Sequence, residues 1–159
     1  MNEAEIKAIL DAVSRGTLDV KEATEKFKDF PIADIDFAKL DTHRAMRRGF
    51  PETILAEGKT TDHLIAIARK ATENNSNTII TRTSEEQRKA LSEQFSSAHL
   101  RFYPPSSLVT IEFTPPKMVG KGKIGIVSAG TSDIPVAREA IATAQFLGNE
   151  VEEIFDVGV

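Results

Sequence analysis

No cysteine occurs in the 159 residues. A disulfide, a thiolate zinc site and a cysteine nucleophile are therefore excluded from this chain. Histidine occurs three times, at His43, His63 and His99, and the three are scattered. An all-histidine metal centre is not expected from them. No apolar run approaches the ~20 residues of a membrane span, and the start, Met1 to Glu5, is acidic and polar, unlike a secretory leader. Basic charge is also short: 20 Lys and Arg stand against 24 Asp and Glu, a formal charge of −4. A general nucleic-acid binder needs a basic face to displace counterions from phosphate, so no nucleic-acid partner is expected. The chain reads as cytoplasmic, with no membrane partner. What is present, 40% hydrophobic and 28% charged residues, suits a folded domain rather than a disordered one.

Residues 1–30 predict a helical hairpin. Ile6, Ile9, Leu10 and Val13 recur at helical spacing, Asn2 can cap, and Gly16 stands at the exit. Asp19 with Glu22 three positions later has capping-box spacing and opens a second helix with Val20, Ala23 and Phe27 on its apolar face. Residues 31–114 predict a small, mostly parallel α/β domain. Its strands are expected through Ile35 and Phe37, over 50–55, 78–81, 100–103 and 108–113. Its helices are expected from Thr61, burying Leu64, Ile65, Ala68 and Ala71, and from Ser84, with Gln87 in capping-box position and Ala90, Leu91 and Phe95 inward.

Residues 115–123, rich in proline, glycine and lysine, read as a linker. Residues 124–159 then form one β-α-β unit: a strand over 124–127, an alanine-rich helix over 134–147 ended by Gly148–Asn149, and a strand over 151–155. Two strands and a helix rarely bury enough surface to stand alone. The unit is therefore expected to be the start of a longer doubly wound domain, or to pack on the first domain or another subunit.

The sharpest local signal is Ser128-Ala129-Gly130-Thr131-Ser132-Asp133, which carries a buried strand directly into a helix with Pro135 in its first turn. Such a junction favours an anion, because free backbone N–H groups and the positive end of the helix dipole meet there. Gly130 would let the main chain approach a phosphate. Thr131 and Ser132 offer hydroxyls, and Asp133 offers an acceptor for a ribose or a cap for the helix. Two readings stay open: a ligand loop at the carboxyl end of a strand, or a plain turn capped by Ser132 or Asp133.

Glu57-Gly58-Lys59-Thr60 invites a P-loop reading, but the first glycine of that motif would fall at Thr53. Gly58 is then a turn residue and Lys59 a solvated charge. His43, Arg44, Arg47 and Arg48 place several donors within two turns of chain, suited to phosphate contacts or to an ordinary surface face balanced by Asp36, Asp41 and Glu52. Of the carboxylates around the last strand, Asp156 is singled out for general acid, base or magnesium-directed work, since it follows the strand at the sheet edge.

Several blocks together resemble one family. Residues 36–41, His43-Arg44 through Arg48-Gly49-Phe50-Pro51-Glu52 and Glu57-Gly58-Lys59-Thr60 look like the N-terminal domain of LarB, the nickel-pincer nucleotide cofactor biosynthesis protein. Residues 128–137 and 147–159 are similar to the start of its second domain, which resembles the aminoimidazole ribonucleotide carboxylase/mutase PurE and has a flavodoxin-like fold. Some relatives carry the label circadian phase modifier.

The resemblance implies carboxylation of the pyridine ring of nicotinic acid adenine dinucleotide and hydrolysis of its phosphoanhydride, giving pyridinium-3,5-biscarboxylic acid mononucleotide and AMP. It implies CO2 and that dinucleotide as substrates, no covalently bound cofactor, room for magnesium, and a homo-oligomer. Ser128, Gly130, Thr131, Ser132 and Asp133 would form the substrate loop. The family's histidine-bearing loop and its pyridine-attacking cysteine fall after the position of Val159, so the catalytic residues are unassigned here. The chain is expected to be the N-terminal part of such an enzyme and inactive alone. The alternatives are a non-catalytic nucleotide-binding or regulatory module, and a scaffold assembled through the N-terminal hairpin.

Overall fold

The computed structural model describes residues 3–27, 32–41, 44 and 49–158. The chain divides into two units, Met1–Glu52 and Thr53–Val159. In the first, helix α1 spans Glu3–Ser14 and α2 spans Val20–Lys26. Gly16 takes the left-handed conformation between them at φ +70°. Asp19 caps α2 as its spacing predicts, accepting from the Glu22 amide at 2.8 Å. Strands β1 (Ile32–Asp34) and β2 (Lys39–Asp41) pair antiparallel. The strand expected through Ile35 and Phe37 is instead the hairpin turn. The Asp34 carboxylate accepts from the Asp36 amide at 3.1 Å, and Asp36 adopts φ +66°. Local side-chain capping overrides the alternating pattern there.

The second unit is built on a four-stranded sheet in the order β3-β4-β6-β5. Its strands are β3 (Thr53–Leu55), β4 (Thr78–Thr81), β5 (Leu100–Phe102) and β6 (Val109–Ile111). Helix α3 (Thr61–Ala71) crosses from β3 to its parallel neighbour β4. After α4 (Glu85–Gln94) the chain returns as a β5–β6 hairpin, so the two pairings made through β6 are antiparallel. The connection between β5 and β6 is too short for a helical crossover. The α/β class holds, with the parallel pairing of this sheet confined to β3–β4.

The helix starts follow capping chemistry. Thr60, one residue before the cap expected at Thr61, accepts from the His63 amide at 3.2 Å. Ser84 and Gln87 form the reciprocal capping box. Leu64, Ile67 and Ala68 turn inward from α3, while Ile65 and Ala71 are half-buried. From α4 it is Leu91 and Gln87 that are buried, with Ala90 and Phe95 half-buried.

The third sheet is the parallel pair β7 (Lys123–Ser128) and β8 (Glu150–Phe155), joined by α5 (Ile134–Phe146). This β-α-β unit does not stand alone. Ala142 and Phe146 of α5 pack with Ile79 of β4 and with Leu108, and Tyr103 and Leu147 close over the cluster. β4 is thus buried on both faces, since Ile80 points away from Ile79 and is also fully buried. Each such aliphatic side chain removed from water contributes about 1.5–3 kcal/mol. The segment before β7 is strapped down: the Val119 and Gly120 amides donate to the Gly148 carbonyl at 2.8 and 3.1 Å. Ile124 and Val127 of β7, Ile154 of β8 and Val157 beyond it remain exposed, so the strand leading into the 128–133 loop is not the buried one expected from its apolar run: only Ser128 at its end is buried.

Tyr103 is the chain's single tyrosine. Its hydroxyl meets Thr110 at 3.3 Å and donates to the Glu112 carboxylate at 3.2 Å. Burial raises its pKa above the ordinary value of 10.0, with the Glu112 charge adding to the rise against the opposing Thr110 hydrogen bond. The folded state therefore keeps the phenolic proton at a pH where the unfolded chain has lost it. That contribution to stability is whole below about pH 10 and falls away as the pH climbs through the folded pKa. Urea unfolding between pH 8 and 11 is expected to show a steeper alkaline loss in the wild type than in Tyr103→Phe. With no tryptophan present, absorbance at 295 nm follows this one phenol, and a midpoint at or below pH 10 would contradict the assignment.

Candidate functional site

Strand β7 ends at Ser128, a 3-10 turn occupies Thr131–Asp133, and α5 begins at Ile134 with Pro135 in its first turn. Because β8 runs parallel to β7 with Phe155 opposite Ser128, Asp156 emerges beside this loop. Asp156 turns the chain at φ +58°. The Val157 amide then donates to the Ser128 carbonyl at 3.4 Å, and the Gly158 amide to the Ala129 carbonyl at 3.1 Å. A Cβ at Gly158 would lie 2.6 Å from the Ala129 oxygen, so the close approach requires glycine. The sequence anticipates that Asp156 stands beside the loop if the two strands are neighbours; the strand register makes them so.

The loop residues divide into two kinds. Ser128 is buried and its hydroxyl donates to the Gly130 carbonyl at 3.2 Å, so it shapes the loop rather than facing a ligand. Thr131, Ser132 and Asp133 are exposed. The capping role held open for Asp133 is not taken. Asp133 precedes α5 but makes no side-chain cap hydrogen bond, while its amide donates to the Gly130 carbonyl at 3.1 Å. Gly130 is extended, at φ −122°, a conformation open to any residue. A Cβ there would sit 3.7 Å from both the Ser132 hydroxyl and the Asp133 carboxylate, in ordinary contact. What glycine contributes at 130 is therefore open space between two polar side chains.

Arg44 belongs to the first unit. Its guanidinium carbon lies 5.5 Å from the Phe50 ring centroid, and its Nε is buried without a hydrogen-bond partner among the described residues. His43, Arg47 and Arg48 fall outside the described residues.

A concavity of about 810 Å3 opens elsewhere, at the carboxyl ends of β3 and β4 between the turns preceding α3 and α4. Gly58 turns at φ +78°, as a turn residue should. Lys59, expected to be a solvated charge, folds back so that its ammonium donates to the Leu55 carbonyl at 2.8 Å. Arg82 pairs with Glu57 at 2.8 Å, and that hydrogen bond and charge hold its pKa above the usual value. Gln87 joins the two turns: its amide nitrogen donates to the carbonyls of Ala56 (3.3 Å) and Lys59 (2.9 Å). Arg82 and Gln87 do not stand out as site residues in the sequence. Two successive strand–turn–helix segments with strong caps were the available signal, since they bring both turns to one sheet edge. Among the described residues no three His, Asp or Glu side chains group to hold a metal ion, and no helix is long and apolar enough to cross a membrane.

An uncharacterized protein of Methanocaldococcus jannaschii is 30% identical over 160 residues, an alignment that takes in 97% of this chain and 62% of the relative. The chain thus spans less than two thirds of that protein's length. A family profile described as the LarB/PurE-like N-terminal domain matches residues 32–112. That match runs from β1 through the whole β3-β4-β6-β5 sheet and takes in just over half of the chain, which therefore belongs to the LarB/PurE-like N-terminal domain family.

Proposed function

We propose that this chain is the substrate-binding portion of a LarB-type enzyme. That enzyme carboxylates the pyridine ring of nicotinic acid adenine dinucleotide and hydrolyses its phosphoanhydride, giving pyridinium-3,5-biscarboxylic acid mononucleotide and AMP. The observation that supports this reading most is the 128–133 loop at the carboxyl end of the parallel β7–β8 pair, with Asp156 and Gly158 folded against it, in a chain of this family. A phosphate at the start of α5 would meet the positive helix end and the Thr131 and Ser132 hydroxyls, the Asp133 and Ile134 amides being already donated to the Gly130 and Thr131 carbonyls. Asp133 would accept from a ribose hydroxyl, and Asp156 is the carboxylate positioned to move a proton. The resemblance to LarB implies that a cysteine attacks the pyridine ring, and this chain contains no cysteine. Its part is to bind and orient. Assembly into a homo-oligomer, a cytoplasmic location and a magnesium requirement belong to the same proposal.

Isothermal titration of the chain with nicotinic acid adenine dinucleotide is expected to show binding, weakened about tenfold or more in Asp133→Ala. That is the loss of one charged hydrogen bond of ~1.5–3 kcal/mol. With bicarbonate added, chromatography is expected to show no carboxylated product. Absence of binding would overturn the proposal, and turnover by this chain would overturn the division of labour. A second reading, a nucleotide-binding module without catalysis, rests on the same exposed loop residues, Thr131 to Asp133. The reading frame after codon 159 separates the two: an in-frame histidine loop and later cysteine support the enzyme, a stop codon the module.

A further inference from the structure

A cavity of about 430 Å3 lies between the tip of the β5–β6 hairpin and the side of α5 that carries Ile134, Arg138 and Ile141. One wall is Phe102, Tyr103, Pro104 and Pro105; the other is Ile134 and Ile141. The size is that of a small-molecule site, and so is the lining, mostly apolar with a few polar groups. Phe102 is 45% exposed, with the Arg88 guanidinium 4.7 Å from its ring centroid. A phenyl ring left half open at the mouth of an apolar cavity offers a stacking surface.

The polar groups say what kind of occupant fits. Arg138 and Glu153 also line the cavity, but they pair with each other at 2.6 Å, and the guanidinium lies 4.9 Å from the Phe155 ring centroid. Their charges cancel, so the cavity favours a neutral group over a phosphate or a carboxylate. Gln145, exposed at the rim, makes no side-chain hydrogen bond among the described residues. Its amide presents a donor and an acceptor together, the pair that matches the edge of a nitrogen heterocycle. Ile134 is the residue immediately after Asp133. The cavity therefore begins where the exposed loop Thr131–Asp133 ends.

We propose that this cavity receives the planar heteroaromatic ring of a nucleotide whose phosphate is held by the 128–133 loop. Phe102 and Gln145 are then specificity-determining residues, and the first of them comes from the four-stranded sheet rather than from the β7–β8 pair. The proposal rests on the nucleotide-loop reading above for the phosphate, while the ring site stands on the cavity itself. It predicts that Phe102 of the β5–β6 hairpin and Gln145 of α5 decide which ring is accepted, and the β7–α5 junction only that a phosphate is.

The chain supplies its own reporter, because its single tyrosine lines the cavity. In protein labelled with 13C-tyrosine, adenosine or AMP is expected to shift the Tyr103 ring signals saturably, and ribose 5-phosphate is not. Phe102→Ala is expected to weaken ring binding about tenfold or more, with affinity recovered in Phe102→Tyr and ribose 5-phosphate binding unchanged. The proposal is overturned if neither ring compound moves Tyr103 at millimolar concentration, if ribose 5-phosphate moves it equally, or if Phe102→Ala leaves affinity intact. Should adenosine still shift Tyr103 while Asp133→Ala leaves AMP affinity unchanged, the loop reading fails and the ring site survives.

Discussion

Replacing Gly148 by alanine is expected to lower the stability of the 53–159 unit by about 2–5 kcal/mol. Two costs combine. Gly148 sits at φ +79°, where a Cβ costs roughly 1–2 kcal/mol. The added Cβ would also lie 1.9 Å from the Lys117 carbonyl oxygen and 3.0 Å from its carbon, both backbone atoms that cannot rotate away. Relieving that overlap means moving the segment whose Val119 and Gly120 amides hydrogen-bond to the Gly148 carbonyl, an overpacking cost of about 1–3 kcal/mol. Urea unfolding followed by far-UV circular dichroism measures the loss. Gly122→Ala is the matched control, because nothing lies within 4 Å of its Cβ position, and a change within about 0.5 kcal/mol is expected there. Equal effects at the two sites would show that the strap across the end of α5 contributes nothing.

Gln87→Ala is expected to cost about 2–4 kcal/mol. The side chain is 7% exposed and makes three hydrogen bonds. It accepts from the Ser84 amide at 2.9 Å and donates to the Ala56 and Lys59 carbonyls at 3.3 and 2.9 Å. Each is worth about 1 kcal/mol net, and the Ala56 carbonyl keeps the Lys59 amide as a donor at 3.0 Å, so the loss is that of the three bonds themselves. Ser84→Ala removes only the local cap, at about 1 kcal/mol. The excess of Gln87→Ala over Ser84→Ala in urea midpoints measures the tie between the two turns. If the two variants cost the same, Gln87 is a cap and nothing more.

These two residues also mark what local reasoning reaches. The capping box at Ser84 and Gln87 is written in the four residues that form it, so spacing alone identified it. The amide's second use, on carbonyls 28 and 31 positions earlier, depends on β3 and β4 being neighbours, which no local pattern encodes. Gly148 was legible as a helix terminator from its place after an apolar periodic run. That a distant carbonyl would press against it was not. Ile35 and Phe37 failed in the opposite direction: alternation with aspartates imitated a strand, while the Asp34 side chain was closing a turn.

The candidate site divides along the same line. Sequence by itself determined the α/β class, the strand-to-helix junction at 128–134 and its exposed hydroxyl and carboxyl groups, because all of these rest on interactions within a few residues. Only the tertiary structure decided that Ser128 turns inward, that Asp156 and Gly158 fold onto the loop, and that the β5–β6 hairpin walls a cavity beside α5. Those outcomes follow from strand register and from α5 packing on β4 and Leu108. Register and packing are set by the summed burial of side chains far apart in the chain, which no local stretch contains.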